Sequence, residues 1–315
     1  MVQPISGHTA LVGVLGDPVR HSLSPAMHNA ALAALGLDWV YLALPAPAEE
    51  LDSVVRGLAA MDCRGLNVTL PHKQAVARLC GELTPLAERL GAVNTLMPRG
   101  NGSWLGTNTD VEGFLAPLRQ GDPAAWADCG ALVLGCGGSA RAVVAGLVEL
   151  GVAEIRVSAR RPEAVQNFCH SCAGWAAQLR PLAWESLPAQ LSAVDLLVNT
   201  TPVGMASSSD PDAARQSPLG PAELERLATG CTVYDLIYTP RPTALLRAAA
   251  ERGCPVVDGL EMLVQQGAAA LRLWTGLPEV PVAAMRSAAL RALEGCGQEN
   301  SKQQARMGPL EPQSA

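Results

Sequence analysis

The chain is nearly devoid of lysine. Of its 23 basic residues only Lys73 and Lys302 are lysine, and all the others are arginine. Lys302 falls in a polar C-terminal stretch, which leaves Lys73 as the lysine of the folded body. Arginine serves surface ion pairs and is effectively never deprotonated, whereas an ε-amine is compact and can bring its pKa into a useful range when partly buried. Lys73 is therefore a candidate for proton transfer or close positioning; the competing reading is one lysine that escaped a coding bias toward arginine. Phenylalanine and tyrosine are scarce as well, two and three residues, so the cores must be aliphatic. No run of eighteen apolar residues exists, and the N-terminus lacks the basic region and cleavage site of a signal peptide. The sequence thus reads as a cytoplasmic protein without a membrane span. A net charge of −6 supplies no field for nucleic acid or an anionic membrane. Nine cysteines, an odd and scattered set, read as free thiols. Cys169-His170-Ser171-Cys172 has the spacing of a redox or metal pair, but no second pair follows and the stretch reads as helix. The five histidines show no ligand spacing, so no metal is expected.

What is present suits an α/β protein of two domains. The 315 residues are 49% hydrophobic, with 30 Gly and 24 Pro to make many short connections. Strands alternate with helices from the start, which predicts mainly parallel sheets with helices on their faces. Strands are expected at Ala10–Leu15, Trp39–Leu44 and Leu66–Thr69, and helices from Pro25 to a stop at Gly36, around Glu49–Met61 and at Gln74–Cys80. Another short helix ends at Gly91. A second α/β unit begins near Asp110, with strands Asp128–Leu134, Ile155–Ser158, Leu196–Asn199 and Thr232–Leu236 and a helix over Ala140–Leu150. Helices Glu261–Thr275 and Pro281–Leu293 complete the fold. Residues 296–315 are polar without hydrophobic period and read as a disordered tail.

Gly135-Cys136-Gly137-Gly138-Ser139-Ala140 stands where an aliphatic strand turns into a helix, in the G-x-G-x-x-G/A pattern. Such glycines allow the tight turn and let the backbone approach a pyrophosphate, while the helix N-terminus offers unpaired N–H groups and positive dipole. Strand before, helix after and a second strand at Ile155 favour dinucleotide binding over a merely tight turn. At the carboxyl end of that second strand stand Ala159, Arg160 and Arg161. Glu154 has a plausible count from the glycines but precedes the strand, at the wrong end of the sheet. Two arginines without an acid favour NADP(H), since guanidinium groups clasp a 2′-phosphate bidentately. The alternative is two solvated arginines at a helix start.

Ser22 and Ser24 precede Pro25, so Ser24 reads as an N-cap with Pro25 behind it. That leaves Ser22 unexplained, and both hydroxyls can face a cleft at the carboxyl end of the first strand. Asn67, Thr69, Asn94 and Asp110 fall at or just after strand ends, where a residue singly is more often a turn or cap.

Together, Ser22-Leu23-Ser24-Pro25, Asn67-Val68-Thr69-Leu70-Pro71-His72-Lys73, Gly91-Ala92-Val93-Asn94-Thr95, Asn108-Thr109-Asp110, the glycine loop, Asn199-Thr200-Thr201-Pro202-Val203-Gly204, Tyr234-Asp235-Leu236-Ile237-Tyr238 and Gly259-Leu260-Glu261-Met262-Leu263-Val264-Gln265-Gln266 occur in this order. The ordered set closely resembles the shikimate dehydrogenase family, over residues 8–293. The resemblance implies an N-terminal α/β substrate domain, residues 1–109 completed by helices in 258–295, and a Rossmann-like doubly wound dinucleotide-binding domain, residues 110–257. It implies reversible reduction of 3-dehydroshikimate to shikimate with NADP, on a small-molecule substrate, in a monomer or homodimer. Lys73 and Asp110 match the family's catalytic pair. Ser22, Ser24 and Tyr238 match residues that hold the substrate carboxylate; Asn67, Thr69, Asn94 and Gln266 match those that bind hydroxyls or complete the pocket. The dinucleotide falls to Gly135, Cys136, Gly137, Gly138, Ser139 and Arg160, with Leu236 and Gly259 near the nicotinamide. The family often has Asn-Arg-Thr after the second nucleotide strand, where this chain has Ala159-Arg160-Arg161; the lost Asn weakens adenosine contacts and Arg161 offsets it.

The chemistry agrees with these residue types. Hydride transfer to a ketone leaves charge on its oxygen, so a cationic donor within reach can protonate it. A quinate/shikimate dehydrogenase is the nearest rival, though NAD-preferring members place an acid after the second nucleotide strand. A folate-linked methylene dehydrogenase would lack the Ser-x-Ser site, and a non-catalytic nucleotide-binding module would not need Lys73 with Asp110.

Overall fold

The computed structural model describes residues 5–120, 123–206, 210 and 212–306, with side chains described no further than residue 295. The first half builds one six-stranded sheet from β1 (Ala10–Gly16), β2 (Trp39–Pro45), β3 (Gly65–Val68), β4 (Glu82–Leu83), β5 (Thr95–Pro98) and β6 (Trp104–Thr107), in the order β2-β1-β3-β5-β6-β4. Helices α1 (Ser24–Leu35), α2 (Leu51–Ala60), α3 (Lys73–Ala77) and α4 (Pro85–Leu90) connect these strands. This sheet is mixed rather than mainly parallel. β1 pairs parallel with β2 and β3, but β5 runs antiparallel to β3 and to β6. The β5–β6 pairing has a local cause: Gly100 and Gly102 in the connection have φ of 72° and 75°, and a connection that short joins only antiparallel neighbours.

After α5 (Asp110–Leu118) comes a second sheet of β7 (Gly130–Leu134), β8 (Glu154–Ser158), β9 (Leu179–Pro181), β10 (Leu196–Asn199), β11 (Thr232–Asp235) and β12 (Val256–Val257). Its crossovers are α6 (Gly138–Glu149), α7 (Pro162–Cys172), α8 (Leu187–Gln190), α9 (Pro221–Leu224) and α10 (Ala244–Glu251). The strand order is β12-β11-β10-β7-β8-β9, every pairing parallel. This is the doubly wound order, whose direction reverses between β7 and β10. Near-continuous burial of β7 and β10 follows, because helices cover both faces.

Finally α11 (Gly259–Thr275) and α12 (Val282–Arg306) return to the first sheet. Leu260, Val264 and Leu271 of α11, with Met285 and Ala289 of α12, share a core with Val12, Val14 and the buried face of α1. The backbone helix of α12 continues to Arg306, past Cys296 where the sequence reading began an unstructured tail. Its Gln, Glu, Lys, Ala and Arg content is that of a good helix former even without an apolar stripe. Residues 307–315 of that tail lie outside the described residues. No described helix is long and apolar enough to cross a membrane.

Candidate active site

The carboxyl ends of β1 and β3 meet those of β7 and β11 across one cleft. A cavity of about 160 Å³ lies there, and all nine residues expected to handle substrate line it: Ser22, Ser24, Asn67, Thr69, Lys73, Asn94, Asp110, Tyr238 and Gln266. Ser139, Leu236 and Gly259 from the cofactor set line it too. A larger open groove of about 810 Å³ sits at the other end of the first sheet, near Trp39, Met97 and Trp274. Its arginines, Arg64 and Arg99, pair with Asp62 and Glu82.

Lys73 opens α3, directly after the loop that leaves β3, and Asp110 opens α5. Lys73 Nζ donates to Asp110 Oδ2 at 2.6 Å, with only 15% and 9% of the two side chains exposed. A partly buried pair this close orders both groups in one geometry, unlike a solvated surface pair. Asp110 Oδ1 accepts from Asn94 Nδ2 at 2.8 Å, and its main-chain N–H donates to Asn108 Oδ1 at 3.0 Å. Asn94 Oδ1 in turn accepts from the Thr109 amide at 2.8 Å and from Thr95 Oγ1 at 2.9 Å. Asn94 thus precedes a strand rather than ending one. It reaches the cleft because β5 is antiparallel to β3, with Asn67 paired to Thr95.

Ser24 does not cap α1. The residue before the helix is Leu23, which makes no side-chain cap, and Ser22 Oγ accepts from the Ser24 amide at 3.2 Å. The Ser24 hydroxyl is therefore not consumed by helix capping and lines the cavity instead.

Leu236 and Tyr238 are carried by the loop after β11, which a buried carboxylate fastens. Asp235 accepts from Asn199 Nδ2 at 2.9 Å, from the Ile237 amide at 3.1 Å and from Thr243 Oγ1 at 2.7 Å. Burial pushes its carboxyl up to about 6, the three donors opposing part of that shift. Burial also raises the Tyr238 phenol, which stays a neutral donor. A side chain on Gly259 would put Cβ 2.0 Å from the Leu236 carbonyl oxygen, so glycine is what lets α11 start against this loop.

The remaining cofactor candidates stand beside the cavity. Gly135 has φ 103°, and a Cβ there would lie 2.6 Å from Thr200 Oγ1. At Gly137 and Gly138 an added Cβ would meet nothing within 4 Å, so open space lies above the loop. The N-terminus of α6 has no side-chain cap, leaving first-turn amides for an anion. Burial raises the Cys136 thiol, with the Arg161 charge acting the other way. Arg160 and Arg161 are exposed and in no ion pair among the described residues, and Ala159 packs half-buried on the core. Glu154 begins β8 and pairs with Arg156, away from the loop. These features fit a phosphorylated dinucleotide along the loop and the end of β8. Cys169 and Cys172 lie on α7, their thiols raised by burial.

Sequence reasoning missed the supports. Asn108, Thr95 and Thr109 orient Asn94 and Asp110, and Val14, Val68, Met262 and Leu263 give the cavity its apolar wall. The Asn-Thr-Asp spacing before α5 hinted at an Asx turn; nothing local announced the apolar wall.

The shikimate dehydrogenase substrate binding domain is matched by residues 14–96, and the shikimate 5′-dehydrogenase C-terminal domain by residues 259–290. A shikimate dehydrogenase (NADP(+)) of Nostoc sp. is 47% identical over 294 residues, 92% of this chain and 99% of its own. That of Synechocystis sp. is 50% identical over 295 residues, 92% and 98% of the two chains. The crystal structure of shikimate 5-dehydrogenase from Thermus thermophilus in complex with NADP(H) and shikimate is 39% identical. It aligns with TM-score 0.79 over 90% of this chain and 100% of its own. Quinate dehydrogenase from Corynebacterium glutamicum in complex with NAD is 32% identical, with TM-score 0.80 over 90% and 99%. Close to half of all residues shared over nine-tenths of this chain and nearly all of its relatives places it plainly: the chain belongs to the shikimate dehydrogenase family.

Proposed function

We propose that the protein catalyses the reversible, NADP(H)-dependent reduction of 3-dehydroshikimate to shikimate. The observation that carries this is the Lys73–Asp110 pair in a cavity whose wall joins the substrate residues to Ser139, Leu236 and Gly259. The bound dinucleotide supplies hydride. Lys73 donates the proton to the ketone oxygen as negative charge develops on it, and accepts it in the reverse direction. Asp110 holds the ammonium in place, and Asn94 holds Asp110. Ser22, Ser24 and Tyr238 bind the carboxylate; Asn67, Thr69, Asn94 and Gln266 take the ring hydroxyls. Gly135, Cys136, Gly137, Gly138 and Ser139 cradle the pyrophosphate on backbone amides, Ala159 borders the adenosine, and Arg160 and Arg161 clasp the 2′-phosphate.

The reading treats residues 1–109 with 258–295 as the substrate domain and 110–257 as the dinucleotide domain, supported by the return of α11 and α12 to the first sheet. It also takes the protein to be cytoplasmic, as a monomer or homodimer. Shikimate oxidation with NADP, followed at the absorbance of reduced nicotinamide, is the test, and absence of turnover overturns the reading. Quinate carries an additional hydroxyl at the carboxylate-bearing carbon, and a site crowded by two serines and Thr69 should leave it poorly accommodated. Equal kcat/KM for both acids, or equal use of NAD and NADP, would move the assignment to a quinate/shikimate dehydrogenase.

A further inference from the structure

Behind the cavity wall, Tyr41 of β2 is fully buried and is not among the residues lining the cavity. Its hydroxyl lies 2.8 Å from Asn67 Oδ1. The direction of that bond follows from the other end of the amide. Asn67 Nδ2 stands 3.3 Å from the Asn94 carbonyl oxygen and 3.2 Å from Thr95 Oγ1. A carbonyl oxygen only accepts, so the amide nitrogen must face it, and the amide oxygen is left to accept from Tyr41. Burial keeps that phenol protonated: its pKa is pushed well up, with the neighbouring Ser24 hydroxyl acting the other way.

Tyr41 is itself held without freedom to turn. Its ring stacks face to face on His28, centroids 4.2 Å apart and planes 2° from parallel, and Trp274 closes the side at 6.2 Å. Among the described residues neither His28 nitrogen has a hydrogen-bond partner, and burial lowers the imidazole pKa to about 3. His28 is thus a neutral stacking plate, not an acid or base. The Tyr41 main chain is pinned at both polar atoms by the Asn29 side chain, each bond 2.9 Å.

We infer that Tyr41 is a positioning residue for the substrate, its hydroxyl fixing the rotation of the Asn67 amide and so the edge of that amide that a ring hydroxyl meets. Without the Tyr41 O–H, Asn67 keeps two longer bonds, both from one nitrogen, and its oxygen end is unanchored. The inference rests on the functional reading above, which makes Asn67 a substrate contact.

Tyr41→Phe removes the O–H while retaining the ring and its stack. KM for shikimate should rise about five- to tenfold, the worth of one neutral hydrogen bond, with kcat and KM for NADP unchanged. In an Asn67→Ala background the same change should have a far smaller effect, only what passes through the neighbouring Ser24 hydroxyl, because the main group it acts through is gone. A merely structural role would instead lower the melting temperature and disturb both substrates in either background. An unchanged shikimate KM in Tyr41→Phe, or a full effect persisting with Asn67→Ala, overturns this inference alone. A wild-type protein that oxidises no shikimate overturns the functional reading and this inference with it.

Discussion

The two sheets reach the same cleft by opposite means. The second is wholly parallel with a regular strand order, and what it offers a ligand is mostly backbone: a glycine turn, uncapped amides of α6 and a loop tied down by Asp235. The first is mixed, and what it offers is side chains from four separate stretches, spread from Ser22 to Asp110 and joined by Gln266 from α11. Backbone recognition suits a cofactor whose pyrophosphate is the same in every turnover. Side-chain recognition suits a small polyol, each of whose hydroxyls needs its own partner. Cofactor-side substitutions should therefore change which nucleotide is used, and substrate-side ones should change turnover or acid affinity.

The sharpest test of that division is Lys73→Ala. If Lys73 is the proton donor as proposed, removing it should lower kcat by about 10²–10⁴-fold with a far smaller change in KM. Near wild-type turnover would withdraw the role from Lys73.

The second sheet makes its own prediction through Asp235. Its carboxyl titrates at about 6 when folded against an ordinary 3.8, so the folded state binds the proton more tightly than the unfolded one. That contribution to stability is complete below the lower value and is lost as pH rises through the higher one. At about 1.4 kcal/mol per pKa unit the loss is about 3 kcal/mol. Stability of wild type relative to Asp235→Asn should fall by that amount between about pH 3 and about pH 7, measured by denaturant unfolding. A difference that rises with pH would contradict the buried-carboxylate account.

Arg160→Ala tests the nucleotide side directly. A phosphate held by one or two guanidinium groups in an exposed site contributes on the order of 2–3 kcal/mol, or roughly a hundredfold. The variant should lose most of that preference for NADP over NAD while keeping its KM for shikimate. An unaltered ratio would reduce the two arginines to a solvated helix start. Among the residues lining the cavity, a smaller effect is expected from Ser22→Ala, with KM for shikimate up about tenfold and kcat little changed. A change in nucleotide KM there would blur the division between the sheets.

The sequence by itself determined the elements whose causes are local. β10 occupies Leu196–Asn199 as read, and the glycine turn into α6 and the C-cap at Gly91 were written in residue types that bear directly on backbone geometry. Lys73 stood out because its near-uniqueness is a property of composition, and the ordered motifs named the site residues by likeness. Only the tertiary structure decided how those residues meet. The antiparallel turn of β5 carries Asn94 to Asp110, and the return of α11 brings Gln266 within 3.5 Å of Asn94 across 172 residues of chain. Nor could periodicity show that Ser24 lines a cavity rather than caps a helix, or that Tyr41 donates to Asn67 from behind it. Hydrogen bonds between distant side chains depend on register and packing, which no local pattern encodes, whereas turns, caps and buried strands depend on the residue and its immediate neighbours.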